Sequence, residues 1–253
     1  MLRFIGIFLP KDLKPILKKF AIDRTVVVQA APTVEETNYL LSLFSEHECI
    51  AGVVGWLDLS SPTFPKELEK LKLKGGLVGI RPMLQDLDED DWILKKEVLS
   101  NLEVMIDADL PLDLLVKPRH LPIIHELMKA LPQLRAVINH LAKPNIARQE
   151  YTPWQEHMYQ LATYENMMCK LSGMVTEAEH ESWSVHDFKQ YVETVFDAFG
   201  GERVMFGSDW PVCMLAGSYD DVIHILESSL PATITNEEKE ALFGKNARQF
   251  YRL

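Results

Sequence analysis

Between Val204 and Cys213 an apolar run, Val204 to Phe206, passes through Gly207 and Ser208 to a single acid, Asp209, followed at once by Trp210 and Pro211. A carboxylate at the end of a buried strand is costly to ionise unless something there uses the charge. A turn aspartate that caps the next helix would look the same in isolation, so Asp209 gains meaning only from its company. Six other apolar runs end on Gln29, on Trp56 with Asp58, on Arg81, Lys117, His140 and Lys170. A lone histidine at such a place is an ordinary structural residue, and a lone lysine commonly reaches solvent. Gathered around one mouth, the set describes an active site, because folding alone does not require it. Arg81, Lys117 and Lys170 would form a cationic ring in an otherwise acidic protein. Such a ring suits a carboxylate-bearing or polyhydroxylated substrate, can stabilise an oxyanion, and would keep Asp209 ionised. Ser208 is not expected to be a nucleophile. The Gly-x-Ser-x-Gly elbow is missing, and its hydroxyl is better placed to bond the turn backbone.

The elements that must position these groups alternate along the whole chain. Strands are expected at Thr25 to Ala30, Ile50 to Leu57, Leu77 to Arg81, Leu112 to Lys117, Arg135 to His140, Met168 to Leu171 and Arg203 to Ser208. Helical patterns fall at Thr33 to Glu46, Pro65 to Leu73, Asp90 to Asn101, Leu121 to Leu131, Pro153 to Tyr164, Val185 to Phe199 and Asn236 to Tyr251. Thr33 reads as an N-cap with Glu36 three residues on. The strands are continuous apolar runs, as in a parallel sheet buried on both faces. An open doubly wound sheet and a (β/α)₈ barrel both fit. No glycine-rich phosphate loop follows the first clear strand, where Gln-Ala-Ala-Pro stands instead, so the barrel is the expected architecture, as one α/β domain over 1–253.

Composition removes other classes. The 253 residues are 47% hydrophobic and 25% charged, an ordinary globular balance. A net charge of −11 with no basic run argues against nucleic acid as partner. No apolar stretch reaches the ~18 residues of a membrane span, and Met1 to Pro10 lacks the features of a signal peptide. Cys49, Cys169 and Cys213 are odd in number and widely spaced, so they read as reduced thiols of a cytoplasmic protein.

Six segments in order resemble the lactonase branch of the amidohydrolase superfamily, which holds fuconolactonase-like, rhamnonolactonase-like and pyrone dicarboxylate lactonase-like enzymes. They are Val-Val-Gly-Trp-Leu-Asp-Leu (53–59), Val-Gly-Ile-Arg (78–81), Leu-Leu-Val-Lys-Pro (114–118), Asn-His-Leu-Ala-Lys-Pro (139–144), Cys-Lys-Leu-Ser-Gly (169–173) and Phe-Gly-Ser-Asp-Trp-Pro-Val (206–212). The resemblance implies a TIM barrel that opens a small sugar or carboxylated lactone in carbohydrate metabolism. It implies Asp209 as the general base that activates water and His140 as the group that polarises the lactone carbonyl. Arg81, Lys117 and Lys170 would hold substrate oxygens, while Gln29, Trp56 and Trp210 shape the pocket. From a usual value of about 3.9, Asp209 should be ionised near neutral pH, as a proton acceptor must be.

The chain departs from that family at its start. Members begin with a strand ending in His-x-His, whereas no histidine precedes His47 here. About two dozen residues, one strand and its loop, are unmatched. Either the first barrel strand is missing, leaving two edges that favour homo-oligomerisation, or Leu2 to Leu9 replaces it. With the fifth family strand ending in Lys117, only His140 and Asp209 remain of the usual ligands, so a divalent ion there would be under-liganded and no cofactor is expected. His120, His125, His180 and His186 are read as surface or loop residues. Two alternatives stand beside the lactonase: a metal-dependent decarboxylase of the same superfamily, and a truncated, catalytically impaired homologue that acts by binding or not at all.

Overall fold

Seven parallel strands form one sheet in strict sequence order in a computed structural model, which describes residues 7–253. They are β1 (Thr25–Val28), β2 (Ile50–Gly55), β3 (Leu77–Ile80), β4 (Leu112–Leu114), β5 (Ala136–Ile138), β6 (Met167–Leu171) and β7 (Val204–Phe206). Each next strand is reached through a helix, so neighbours pair in parallel and the sheet curls as a TIM barrel does. Among the described residues β1 and β7 are the sheet's two edges. Most of the segment Leu2 to Leu9, a replacement strand in one of the two alternatives, lies outside the described residues, and Ile7 to Leu9 carries no strand.

The helical layer comes round between those edges. Helix α1 (Pro10–Lys19) was not expected: Leu13, Ile16 and Leu17 keep helical spacing, but Pro15 stands among them and reads as a break. It meets α8 (Tyr219–Ser229) through an ion pair from Lys19 to Asp220 and through Phe20, which stacks on Tyr219 at 5.2 Å. Helix α8 was also unexpected; Ser218 caps it by accepting from the Asp221 N–H at 3.1 Å. The predicted Thr33 cap is present at α2 (Val34–Glu46), where the Thr33 hydroxyl accepts from the Glu36 N–H at 3.1 Å. Helix α4 (Lys96–Asp107) starts later than expected, since Trp92–Leu94 is a separate tight turn.

Every strand but β6 stops short of its predicted end. The Leu115 carbonyl accepts from Gln85 N–H in the loop after β3, rather than from a strand, and the Lys117 N–H is taken by His120 Nδ1 at 2.9 Å. Apart from Lys170, which lies on β6 itself, the chemistry-bearing residues therefore stand on the turns just past the ladder, at the strand ends that form the mouth. His120 corrects the expectation of a surface residue. It is 1% exposed, with Nε2 3.0 Å from Asp90 Oδ1, and burial lowers its pKa. His180 and His186 are exposed, and half-buried His125 meets the Tyr164 hydroxyl at 3.2 Å.

Two clusters hold the protein together. The larger lies between sheet and helices and includes α5 (Leu121–Ala130), α6 (Trp154–Ala162) and α7 (His186–Phe199). Burying each of its leucine or phenylalanine side chains contributes roughly 1.5–3 kcal/mol. The smaller fills the concave face of the sheet: Val54, Val137, Met168 and Met205, closed off by Phe250 and Tyr251. The last two belong to α10 (Asn246–Tyr251), which continues α9 (Asn236–Glu240) through one π-turn at Ala241–Lys245. The expected closing helix from Asn236 to Tyr251 is thus present.

Candidate active site

Strand β5 delivers Asn139 and His140, and the backbone then turns against its chirality. His140, Leu141, Ala142 and Lys143 all have φ between 52° and 61°, four consecutive non-glycine residues in the left-handed region. That conformation costs about 1–2 kcal/mol per residue, and it persists only where the surroundings hold it. Here the buried Trp154 indole N–H donates to the Leu141 carbonyl at 2.7 Å, and the Lys143 N–H closes the turn on the His140 carbonyl at 2.6 Å. The turn brings both the His140 imidazole and the Lys143 ammonium over the strand ends.

Asp209 follows β7 with its own φ at 54°. Its Oδ1 lies 3.7 Å from His140 Nε2, and the two side chains are only 17% and 12% exposed. On its other side the imidazole Nδ1 meets the Ser172 hydroxyl at 2.8 Å. Gly173 comes next, at φ 61°; a Cβ there would sit 2.7 Å from His140 Nδ1 and 3.2 Å from Asp209 Oδ2. Backbone angle and space both demand glycine. As expected, the Ser208 hydroxyl bonds the turn, accepting from the Trp210 N–H at 3.2 Å. The Trp210 ring packs edge-on against Phe8 at 5.4 Å.

The electrostatics oppose the simplest expectation. The cations Arg81, Lys143 and Lys170 pull Asp209 down, but burial outweighs them and its pKa is raised to about 6. His140 is pushed well below the usual histidine range, first by burial and then by Arg81, Lys143 and Lys170. The pair is therefore a neutral imidazole beside a carboxylate that still ionises below neutrality.

The predicted cationic ring is only partly assembled. Arg81 is 8% exposed, and its guanidinium donates to the Gln29 carbonyl while Gln29 Nε2 donates back to the Arg81 carbonyl at 2.8 Å. This grip leaves Arg81 Nε and Gln29 Oε1 buried without a hydrogen-bond partner, polar atoms that an occupant of the mouth could satisfy. Lys170 is not a free member of the ring, because it is bonded to buried Asp113. Lys117 is exposed, although its charge is felt by Glu177. Trp56 is half-buried with its backbone pinned by Thr37, whose Oγ1 accepts from the Trp56 N–H at 2.8 Å and donates to its carbonyl at 3.0 Å. Asp58 is a turn residue, accepting from Ser60 N–H at 2.9 Å.

Sequence reasoning passed over several contributors. Lys143 lies 3.7 Å from Glu177, each about a quarter exposed, and burial raises Glu177 against the pull of Lys143 and Lys117. Ser172, Gly173 and Lys143 lie inside segments that carry the family resemblance, yet nothing in their residue types marks them as parts of a site. Asp113 carried the one available signal, an acid between two leucines of a buried strand.

The Amidohydrolase family matches residues 6–253. Over 249 residues the chain is 41% identical to L-fucono-1,5-lactonase of Burkholderia ambifaria, covering 97% of this chain and 86% of that relative. It is 32% identical to L-fucono-1,5-lactonase of Burkholderia multivorans, with the same shares covered. A solved amidohydrolase from Burkholderia multivorans with bound zinc superposes with a TM-score of 0.93 at 32% identity, over 97% of this chain and 89% of that one. A probable 2-pyrone-4,6-dicarboxylic acid hydrolase from Acinetobacter baumannii superposes at 0.82 with 16% identity, covering 99% and 92%, a likeness of fold alone. The chain belongs to the amidohydrolase family, and its fold is that family's parallel α/β barrel sheet.

A metal ion is common in this superfamily, and the donor set can be tested against one. Among the described residues no group of three or more His, Cys, Asp or Glu side chains is placed to hold a metal. His140 and Asp209 give two donors, short of the three or four of a tight zinc site. The described residues do not fit it. Among these residues no helix is long and apolar enough to cross a membrane.

Proposed function

We propose that the protein hydrolyses a small sugar lactone, with Asp209 as general base and His140 as the group that polarises the lactone carbonyl. The observation that carries this reading is the 3.7 Å approach of a neutral imidazole to a carboxylate whose pKa is raised to about 6. A base works best when its pKa lies close to the operating pH, and a neutral imidazole can donate one hydrogen bond without adding charge. Both Burkholderia relatives that open L-fucono-1,5-lactone share most of this chain's length, which supports a sugar 1,5-lactone over a carboxylated one.

The atoms balance with these groups alone. Asp209 takes a proton from water as the oxygen attacks the lactone carbonyl carbon. His140 Nε2–H donates to the carbonyl oxygen as it becomes an oxyanion, with Nδ1 accepting from the Ser172 hydroxyl. Buried Arg81 adds positive charge to the same space. The intermediate collapses by breaking the ring C–O bond, and the proton held by Asp209 goes to the leaving ring oxygen. The product is an open-chain hydroxy acid.

The test is acid release, followed by pH indicator, on a panel of sugar and carboxylated lactones, with and without chelator. Hydrolysis of a sugar 1,5-lactone that survives chelator and is lost in Asp209→Asn is expected. No turnover on any lactone, or turnover unchanged in Asp209→Asn, overturns the reading.

A further inference from the structure

Beneath the mouth lies a buried polar cluster that the lactone chemistry does not use. Asp113 stands in the middle of β4 and is fully buried. The register pairs Asp113 with Val137 and Val137 with Met168, so its side chain belongs to the inward-facing row of the sheet. Lys170 is two residues beyond Met168 on β6 and shares that face. The Lys170 ammonium bonds Asp113 Oδ2. The Tyr251 hydroxyl donates to the same carboxylate, at 2.8 Å from Oδ1 and 3.1 Å from Oδ2, and Lys170 Nζ lies 5.3 Å from the Tyr251 ring centre.

Tyr251 reaches this place from the other end of the sheet. It is the last residue of α10, two short of the carboxy-terminal Leu253. Arg135, just before β5, fixes that helix by donating to the Phe250 carbonyl and lying over the Phe250 ring at 5.6 Å. The carboxy terminus is thereby threaded under the sheet to place one hydroxyl on one buried carboxylate.

Folding does not call for this arrangement. A buried ion pair is commonly no more stabilising than apolar residues of the same size, because desolvation offsets the attraction. The cluster does have an electrical consequence. The groups facing Lys170 are Asp113 from β4, Tyr251 from α10, Arg81 after β3, Asp209 after β7 and His140 after β5. Lys170 and Arg81 are the buried cations near Asp209, and Asp113 is the counter-charge that both of them feel.

Resting on the reading of Asp209 and His140 as the lactone-opening pair, we propose that Asp113 and Tyr251 are positioning residues that hold the Lys170 ammonium in the lumen beneath that pair, so that the carboxy-terminal helix fixes the charge felt by the catalytic carboxylate. Neither residue touches substrate. They act through Lys170.

A double-mutant cycle on the pH profile of kcat/KM tests this, using Tyr251→Phe, Lys170→Met and the double variant. Lys170→Met removes a cation that favours ionised Asp209, so the acid limb should move to higher pH, with kcat/KM at pH 6 falling roughly 10-fold. Tyr251→Phe frees Asp113 and Lys170 from their fixed geometry. It should move the limb the same way with roughly a 3-fold loss, and cause no further shift in the Lys170→Met background. Should Lys170→Met leave Asp113 too poorly compensated to fold, the neutral pair Lys170→Met with Asp113→Asn serves as the background. A second readout needs no substrate: the titration of Lys170 by carbon NMR of its Cε, expected to move to lower pH in Tyr251→Phe. Equal loss in both backgrounds, or an unshifted limb with unchanged Lys170 titration, overturns the proposal. If wild type opens no lactone, the functional reading fails, and the Lys170 titration still decides whether Tyr251 controls that ammonium.

Discussion

His140 Nε2 and Asp209 Oδ1 stand 3.7 Å apart on turns that follow two non-adjacent strands, β5 and β7, and the backbone of Gly173 fills the space beside both side chains. The separation is too long for a direct hydrogen bond. A water or a substrate atom seated beside the pair can therefore bond both the proton acceptor and the proton donor. The pair is also desolvated, which couples its chemistry to the stability of the protein.

Asp209→Asn should remove activity and stabilise the fold. Burial raises the folded pKa to about 6 from an ordinary 3.8, so the folded state binds this proton more tightly than the unfolded chain. The stability from that binding is fully present below pH 4 and is lost as pH rises through 6. At pH 7 wild type therefore carries an ionised carboxylate that opposes folding by about 1–3 kcal/mol. The asparagine variant should lose ~10²–10⁴-fold in kcat/KM, as expected when a general base is removed. It should also melt several degrees higher at pH 7, with the difference vanishing near pH 4. A variant that melts lower than wild type at pH 7 would contradict the assigned burial of charge.

The same site shows what a sequence displays and what it withholds. Asp209, His140, Arg81 and Lys170 were legible because each ends an apolar run, and a parallel barrel sends such ends to one mouth. Their partners were not. The Lys170 pairing depends on which face of β4 carries Asp113, and three residues of strand give no period to read. Tyr251 is separated from Asp113 by 138 positions, and nothing local in a short helix marks its last residue as an inward donor. The left-handed turn at 140–143 was hidden for another reason: it contains no glycine or asparagine, and tertiary contact rather than local preference holds it. Helix α1 was missed because Pro15 sits inside it, and a proline within a helical pattern reads as a break.

Activity should rise with pH through a single acid limb near 6. Asp209 must be ionised to accept a proton, and at pH 7 roughly nine-tenths of it is, given a value of about 6. His140 is pushed well below the usual histidine range by burial and by the cations around it, so it should add no second limb at or above pH 6. Initial rates of hydrolysis across buffers of constant ionic strength, corrected for spontaneous lactone opening, measure this directly. Two acid limbs in that range would mean that the imidazole titrates and is not the neutral donor described above.

Gly173→Ala should cost more in activity than in stability. The added methyl would lie 2.7 Å from His140 Nδ1 and 3.2 Å from Asp209 Oδ2, at a φ of 61°. Accommodating it requires the imidazole to give way, which breaks the 2.8 Å contact with Ser172. The backbone penalty is about 1–2 kcal/mol, whereas misplacement of a reacting group by an ångström can cost ~10²-fold. Thermal unfolding and kcat measured on the same preparation separate the two. Ser172→Ala, which leaves the backbone alone, should give a smaller loss of kcat with an unchanged melting temperature.

Lys143→Met and Lys117→Met should differ, though both remove one positive charge near the mouth. Lys143 is felt directly by both Asp209 and His140, whereas exposed Lys117 is felt only by Glu177 among the shifted groups. Water and salt screen an exposed charge more strongly than a buried one. Losing Lys143 should therefore raise the Asp209 pKa further and move the acid limb of kcat/KM upward. Losing Lys117 should leave that limb in place and act, if at all, on KM in a salt-dependent way.

Trp154→Phe tests what holds the strained turn. The indole N–H caps the Leu141 carbonyl at 2.7 Å from inside the core, where Trp154 is 2% exposed. Phenylalanine keeps most of the apolar contact but leaves that carbonyl unpaired, at a cost of about 1–3 kcal/mol. Four left-handed residues depend on such contacts, so the loss should not stay local. The turn can relax toward ordinary backbone angles, and as it does His140 and Lys143 swing away from Asp209. Both melting temperature and kcat should fall, and hydrogen exchange should rise at the Lys143 amide, which closes the turn. A fall in melting temperature with kcat and Lys143 exchange unchanged would show that the turn is held by something other than Trp154, and that its left-handed geometry is not what places the imidazole.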